Sequence, residues 1–149
     1  MDIINHSDEY FMKEALKEAE KALIRDEIPV GAVIVYNSQV IGRAHNLTEA
    51  LNDVTAHAEM QAFTAAANTI GGKYLSECTL YVTLEPCIMC AGASFWTQIG
   101  KIVYGAADKE RGYLRIKKKI LHPKTKVISG VLEEECSRIL KDFFRKKRK

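Results

Sequence analysis

Strand-length apolar runs alternate with segments of helical period along this chain, and that alternation restricts its architecture more than any other feature. From Ser7 to Arg25 the residues Met12, Ala15, Leu16, Ala19, Ala22 and Leu23 recur at helical spacing. Asp8 and Glu9 sit where a helix dipole favours negative charge. Pro29 to Tyr36 reads as a buried strand, Asn37-Ser38 as a tight turn and Gln39 to Ala44 as a second strand. His45 to Asp53 has no period and reads as a loop. Thr55 is the expected N-cap of a helix from Ala56 to Ile70, with Gly71-Gly72 as its stop. Thr79 to Leu84, β-branched and aromatic, makes a third strand. Pro86 suits the first turn of a helix reaching about Gln98, because its missing N–H would be unpaired there anyway. Lys101 to Tyr104 follows as a fourth strand. Asp108 to Lys126 reads as a basic loop with a short helix, and Val127-Ile128 centres a short fifth strand. From Leu132 to Phe144 the apolar set Leu132, Cys136, Ile139, Leu140, Phe143 and Phe144 marks an amphipathic helix. The pattern predicts one α/β domain over residues 1–149, with helices on both faces of a sheet.

A chain of 149 residues can bury a sizeable core without disulfide or metal staples, and four cysteines are too few for a disulfide scaffold. No apolar run approaches the roughly 20 residues of a membrane span. The start, Met1 to Tyr10, has neither the basic region nor the apolar stretch of a signal peptide, so a cytoplasmic protein is expected. The net charge of +3 conceals a split: −7 through Gly100 and +10 from Lys101 onward. Such asymmetry points to an anionic partner such as nucleic acid or a membrane surface, although lysine-rich ends also serve as solubilising tails.

Two short motifs carry the chemistry. His57-Ala58-Glu59 opens one predicted helix and Pro86-Cys87-Ile88-Met89-Cys90 opens another. Cysteines three apart on a helix share a face, and two thiolates with one imidazole fill three corners of a zinc tetrahedron, leaving the fourth for water. Glu59 stands two residues from His57, off its helical face, which suits a carboxylate that moves protons without ligating the metal. Zinc lowers the pKa of its water to about 7 in hydrolytic sites. A Cys-x-x-Cys by itself also fits a structural half-site or a redox pair. A structural site needs a fourth ligand from Cys78, Cys136, His6, His45 or His122, and the two cysteines read as buried core thiols. His-x-Glu followed by Pro-Cys-x-x-Cys is the known signature of the zinc deaminases.

With those residues in view, the chain resembles the cytidine deaminase-like superfamily, and within it the bacterial tRNA-specific adenosine deaminases. The resemblance runs through Pro29 to Ile34, Ala44 to Leu47, Thr55 to Glu59, Leu80 to Ala93, Tyr104 to Asp108, Gly130 to Leu132 and Phe143-Phe144. It implies a three-layer α/β/α sandwich around a five-stranded mixed sheet, assembled as a homodimer with one zinc ion per subunit. It implies hydrolytic deamination of the wobble adenosine to inosine, with tRNA, through its anticodon stem-loop, as partner. His57, Cys87 and Cys90 would bind zinc, and Glu59 would be the catalytic proton carrier. Asn46 and Asp108 would contact the flipped-out nucleotide, and Phe143 or Phe144 the anticodon loop.

From the residues alone, Asn46 also reads as a loop residue bonding its own backbone, and Asp108 as a turn or cap. At least one of Phe143 and Phe144 belongs to the core stripe, and Trp96 and Met89 read as packing or dimer contacts. Phe95-Trp96-Thr97-Gln98 stands where the family usually carries Ser-Arg before the isoleucine, and an aromatic at Trp96 is found in guanine deaminases of the superfamily. Lys109 to Tyr113, with Lys117 to Lys119 beyond, replaces an expected Gly-Ser loop. An alternative activity is therefore small-molecule deamination of guanine or cytosine. A third reading is a non-catalytic, zinc-stabilised RNA-binding module, against which Glu59 argues. The basic end, Arg145 to Lys149, reads as a frayed, solvated helix end or, for an RNA substrate, as a source of salt-sensitive backbone attraction, with aromatics beside it that could stack unpaired bases.

Overall fold

The computed structural model describes residues 5–148. Met1 to Ile4, the first part of the start read above against a signal peptide, and the final Lys149 of the basic end lie outside the described residues. Helix α1 (Asp8–Ile24) starts where Ser7 Oγ accepts the Tyr10 N–H at 3.1 Å, and Asp8 and Glu9 occupy its first turn. Strands β1 (Gly31–Tyr36) and β2 (Gln39–His45) form a hairpin. Asn37 and Ser38 both take positive φ, 49° and 60°, the geometry that matches a two-residue turn to strand twist. Helix α2 (Ala58–Ile70) ends at Gly71, which is left-handed at φ 81°. Strand β3 (Thr79–Leu84), helix α3 (Ile88–Thr97) and strand β4 (Lys101–Ala106) follow. A single 3-10 turn (Tyr113–Arg115), edge strand β5 (Lys126–Ser129) and helix α4 (Glu133–Lys147) complete the order.

The sheet order is β2-β1-β3-β4-β5. β1 runs antiparallel to β2 and β3, whereas β3, β4 and β5 are parallel. Alternation along β1 divides the core. Ala32 and Ile34 join Ala58, Ala62, Phe63 and Ala66 of α2 and Ala91 of α3 on one face. Val33 and Val35 join Phe11, Met12 and Ala15 of α1 and Cys136 of α4 on the other. The result is the three-layer sandwich with a five-stranded mixed sheet. Gly31 allows the closest approach between layers: a Cβ there would lie 2.0 Å from the Ala15 carbonyl oxygen. Cys78 and Cys136 are buried core thiols, as expected.

Local expectations fail mainly at helix starts. α2 begins two residues later than Ala56, with His57 and not Thr55 as its N-cap, and the Thr55 N–H and hydroxyl instead both donate to Asp53 Oδ1 in a local turn. Pro86 lies before the helix, and Cys87 is the N-cap of α3. β4 runs two residues past Tyr104, carried by its parallel pairing with Leu84.

Candidate metal centre and active site

Four chain segments meet at one end of the sheet. β2 leads into Asn46, β3 into Glu85-Pro86-Cys87 and β4 into Ala107-Asp108, all at carboxyl ends of strands, where α/β sheets place ligand sites. The entry to β1 joins them, since the Val30 carbonyl accepts the Asn46 N–H at 3.1 Å and the Gly31 N–H donates to Thr83 Oγ1 at 3.1 Å.

His57 and Cys87 are both N-caps in extended backbone conformation, each set at the mouth of its own helix. Cys90 stands in the first turn of α3. The two helix N-termini therefore converge on the same small volume, and their dipoles favour anionic sulfur there. His57 Nδ1 lies 3.6 Å from Cys87 Sγ and 3.5 Å from Cys90 Sγ. All three potential ligand atoms fall within 4.8 Å of one another, so the group can hold one metal ion. The Cys87 thiol is pulled down to about 4, first by its contact with Cys90 and then by His57. Cys90 is held well above its ordinary value by that same contact and by burial. The Cys87 sulfur in turn raises His57.

Glu59 is 4% exposed. Burial pushes its carboxyl up to about 7, and the charge on Cys87 adds to the rise. His57 lies outside the helix and Glu59 inside its first turn, so the two reach one site without sharing a helical face.

Asn46 is 6% exposed, and its Oδ1 is buried without a partner, an acceptor left open beside the site. It does not bond its own backbone through that oxygen. Asp108 does make a turn: its Oδ1 accepts the Glu110 and Arg111 N–H groups at 3.1 and 3.0 Å. Phe143 is 7% exposed, whereas Phe144 is 39% exposed, with the two rings edge to face at 5.3 Å. Of this pair, only Phe144 offers a ring to solvent.

Of the buried carboxylates that escaped the sequence reading, Glu18, Glu27 and Glu85, the last two hold loops at this end of the sheet. Glu27, 1% exposed, accepts the Glu49 N–H at 2.9 Å and the Ala50 N–H at 2.7 Å, pinning the loop after Asn46. Glu85, 4% exposed, accepts the Asp108 and Leu114 N–H groups, each at 3.1 Å. The signal at the last two was faint: Glu85 is an acid directly after an apolar strand, and Glu27 is one of two adjacent acids ahead of Ile28-Pro29-Val30.

The cationic third splits in space. Lys147 bonds Asp26, just before the entry to β1, so the basic end of α4 lies at the site end of the sheet. Lys101, Lys124 and Lys126 line a cleft of about 820 Å³ with His122 and Thr79. That cleft lies at the opposite end, where β3, β4 and β5 begin in register at Thr79, Lys101 and Lys126.

The profile of the MafB19-like deaminases matches residues 5–148. A tRNA-specific adenosine deaminase of Bacillus subtilis (strain 168) is 47% identical over 147 residues, 95% of this chain and 91% of that protein. A solved structure from studies of A-to-I editing by tRNA:A34 deaminases at the wobble position superposes with a TM-score of 0.83 at 43% identity, covering 88% of this chain and 99% of that one. A guanine deaminase of Bacillus subtilis superposes at 0.64 and 38% identity, over 70% of this chain and 66% of its own. The chain thus belongs to the tRNA-specific adenosine deaminase family, within the MafB19-like deaminases.

Proposed function

We propose that this chain is a zinc-dependent tRNA adenosine deaminase that converts the wobble adenosine of an anticodon stem-loop to inosine. The observation that carries the reading is the His57-Cys87-Cys90 triangle with the buried Glu59 beside it. Tetrahedral bonds of about 2.3 Å to sulfur and about 2.0–2.1 Å to nitrogen require N···S edges of about 3.6 Å. The edges here are 3.6 and 3.5 Å, and a donor set of two thiols and one imidazole suits zinc. When bound, one zinc ion per subunit supplies the Lewis acidity that makes water a nucleophile at neutral pH.

The protein residues do the rest. Glu59 takes a proton from the attacking water and passes it to the adenine ring nitrogen beside C6. A second proton, from the hydroxyl now on C6, leaves through Glu59 to the amino group. The C6–N bond then breaks, so water and adenosine become inosine and ammonia. Asn46, with its open Oδ1, holds the flipped nucleotide, and the Asp108 turn borders it. Phe144 stacks an anticodon-loop base while the basic end of α4 attracts the RNA backbone.

Residues 1–149 act as one catalytic domain, in the cytoplasm where tRNA is found. Among the described residues no helix is long and apolar enough to cross a membrane. The exposed α3 residues Ile88, Phe95 and Trp96, the last 76% exposed, are read as the homodimer surface. Guanine deamination, suggested by Trp96, has weaker support, because the guanine deaminase likeness spans a smaller share of the chain.

The test is incubation of zinc-loaded protein with an anticodon stem-loop bearing a wobble adenosine, read as A-to-G change in cDNA. Inosine at that position alone is expected. No conversion, or turnover of free guanine instead, overturns the reading.

A further inference from the structure

We infer that Glu85 is a positioning residue of this active site, whose carboxylate clamps the 108–114 loop onto the turn that carries Cys87. The inference rests on the deaminase reading above and assigns a role to a residue outside the metal group, Glu59 and the nucleotide contacts. Glu85 follows β3 directly, and its own N–H donates to the Ala106 carbonyl at 2.8 Å, so its backbone is fixed to the end of β4. Its Oε1 takes the N–H of Asp108 and its Oε2 that of Leu114, the two ends of the loop. Among the described residues no cation pairs with it within ion-pair distance. Both of its carboxyl oxygens accept backbone N–H groups of the loop, so these bonds depend on the loop lying where it does.

The loop has no slack on the other side. A Cβ on Gly112 would fall 1.9 Å from Glu85 Oε2, so only glycine lets the chain pass over the carboxylate at this distance. Gly112 pairs with Cys87 in an isolated antiparallel bridge, and the Tyr113 N–H donates to the Pro86 carbonyl at 2.9 Å. The Glu85 side chain therefore joins both ends of the loop to a metal-ligand turn, alongside these backbone links, and so positions the Asp108 turn that borders the nucleotide. Glutamine fills the same volume but keeps one acceptor oxygen and turns its NH2 toward the other amide, which releases one end of the loop. Misplacement of this size in an active-site wall lowers rate without touching the chemistry.

The experiment compares full-length, zinc-loaded wild type, Glu85→Gln, Asp108→Ala and the double variant on the anticodon stem-loop. Zinc content is measured for each. We expect Glu85→Gln to keep one zinc per chain and lose about 10–100-fold in kcat/KM, a loss of the scale that poor positioning produces. The double variant should lose no more than the worse single variant, because both act on the same loop. Gly112→Ala, which displaces the loop from its other side, should reproduce the loss with zinc retained, and stands in if Glu85→Gln does not fold. Wild-type kcat/KM in zinc-loaded Glu85→Gln overturns the inference. So do multiplicative losses in the double variant, or zinc loss in both Glu85→Gln and Gly112→Ala. Absence of inosine with wild type is a failure of the functional reading and is distinguished by that lane alone.

Discussion

Glu27→Gln tests whether a buried carboxylate holds the loop that follows Asn46. Glu27 is 1% exposed and accepts two backbone N–H groups, from Glu49 at 2.9 Å and Ala50 at 2.7 Å. Glutamine retains one oxygen, so one of these bonds survives in weaker, neutral form. The other amide is left facing an NH2 group in a buried place, at a cost of about 1–3 kcal/mol, and loss of charge assistance adds about 1 kcal/mol. Relief of the desolvation penalty on a buried charge offsets part of this. The net expected loss is about 2 kcal/mol, or about 4–8 °C in Tm for a domain of this length. Thermal unfolding followed by circular dichroism measures it, and amide hydrogen exchange locates it. Glu49 and Ala50 should lose protection while the β1 and β3 amides exchange at their usual relative rates. An unchanged Tm with Glu49 and Ala50 still protected would refute the assignment of this carboxylate as the loop's anchor.

Glu59→Gln should lower kcat by about 10²–10⁴-fold with zinc content and Tm retained, the size expected when a proton carrier is removed. Chelation should abolish activity and lower Tm, and zinc should restore both at one ion per chain, since a ligand held only by the folded state stabilises it. Phe143→Ala should cost about 3–5 kcal/mol in urea unfolding, while Phe144→Ala should leave stability nearly unchanged and raise KM for the stem-loop. Glu18 responds to acid: burial raises its carboxyl, but the bonds from Lys21 and His45, with Arg43, outweigh that and hold it below its ordinary value. A depressed folded value contributes stability above the ordinary carboxylate pKa, and that contribution disappears as pH falls through the folded value. Tm should fall in that acidic window, and Glu18→Gln should flatten the slope.

The layers and most elements were legible because their signals are local. Helical period marks Met12, Ala15 and Ala19 in α1. Asn37-Ser38 reads as a two-residue turn because Asn tolerates positive φ and both residues are common turn formers. Where the reading slipped at a helix start, one local motif had displaced another. Thr55 has the chemistry of a helix cap, yet it closes a turn onto Asp53 two residues back and the helix starts after His57. That slip has a chemical consequence. With His57 and Cys87 both at N-cap positions, the ligands converge through two helix mouths and not through two helical faces.

By itself the sequence determined the class of fold, the donor types and their spacing, because periodicity and short motifs are carried by neighbouring residues. What it left open was every question that turns on residues far apart in the chain. Nothing near Glu27 or Glu85 shows that each will accept two amides from loops 22 to 29 residues away. The strongly basic third entered the charge count as a single sum of +10. Folding sends the end of α4 to Asp26 beside the site and sends Lys124 and Lys126 to the far end of the sheet. A charge count sums over position, whereas the field at the substrate depends on distance, and only the tertiary structure supplies the distance.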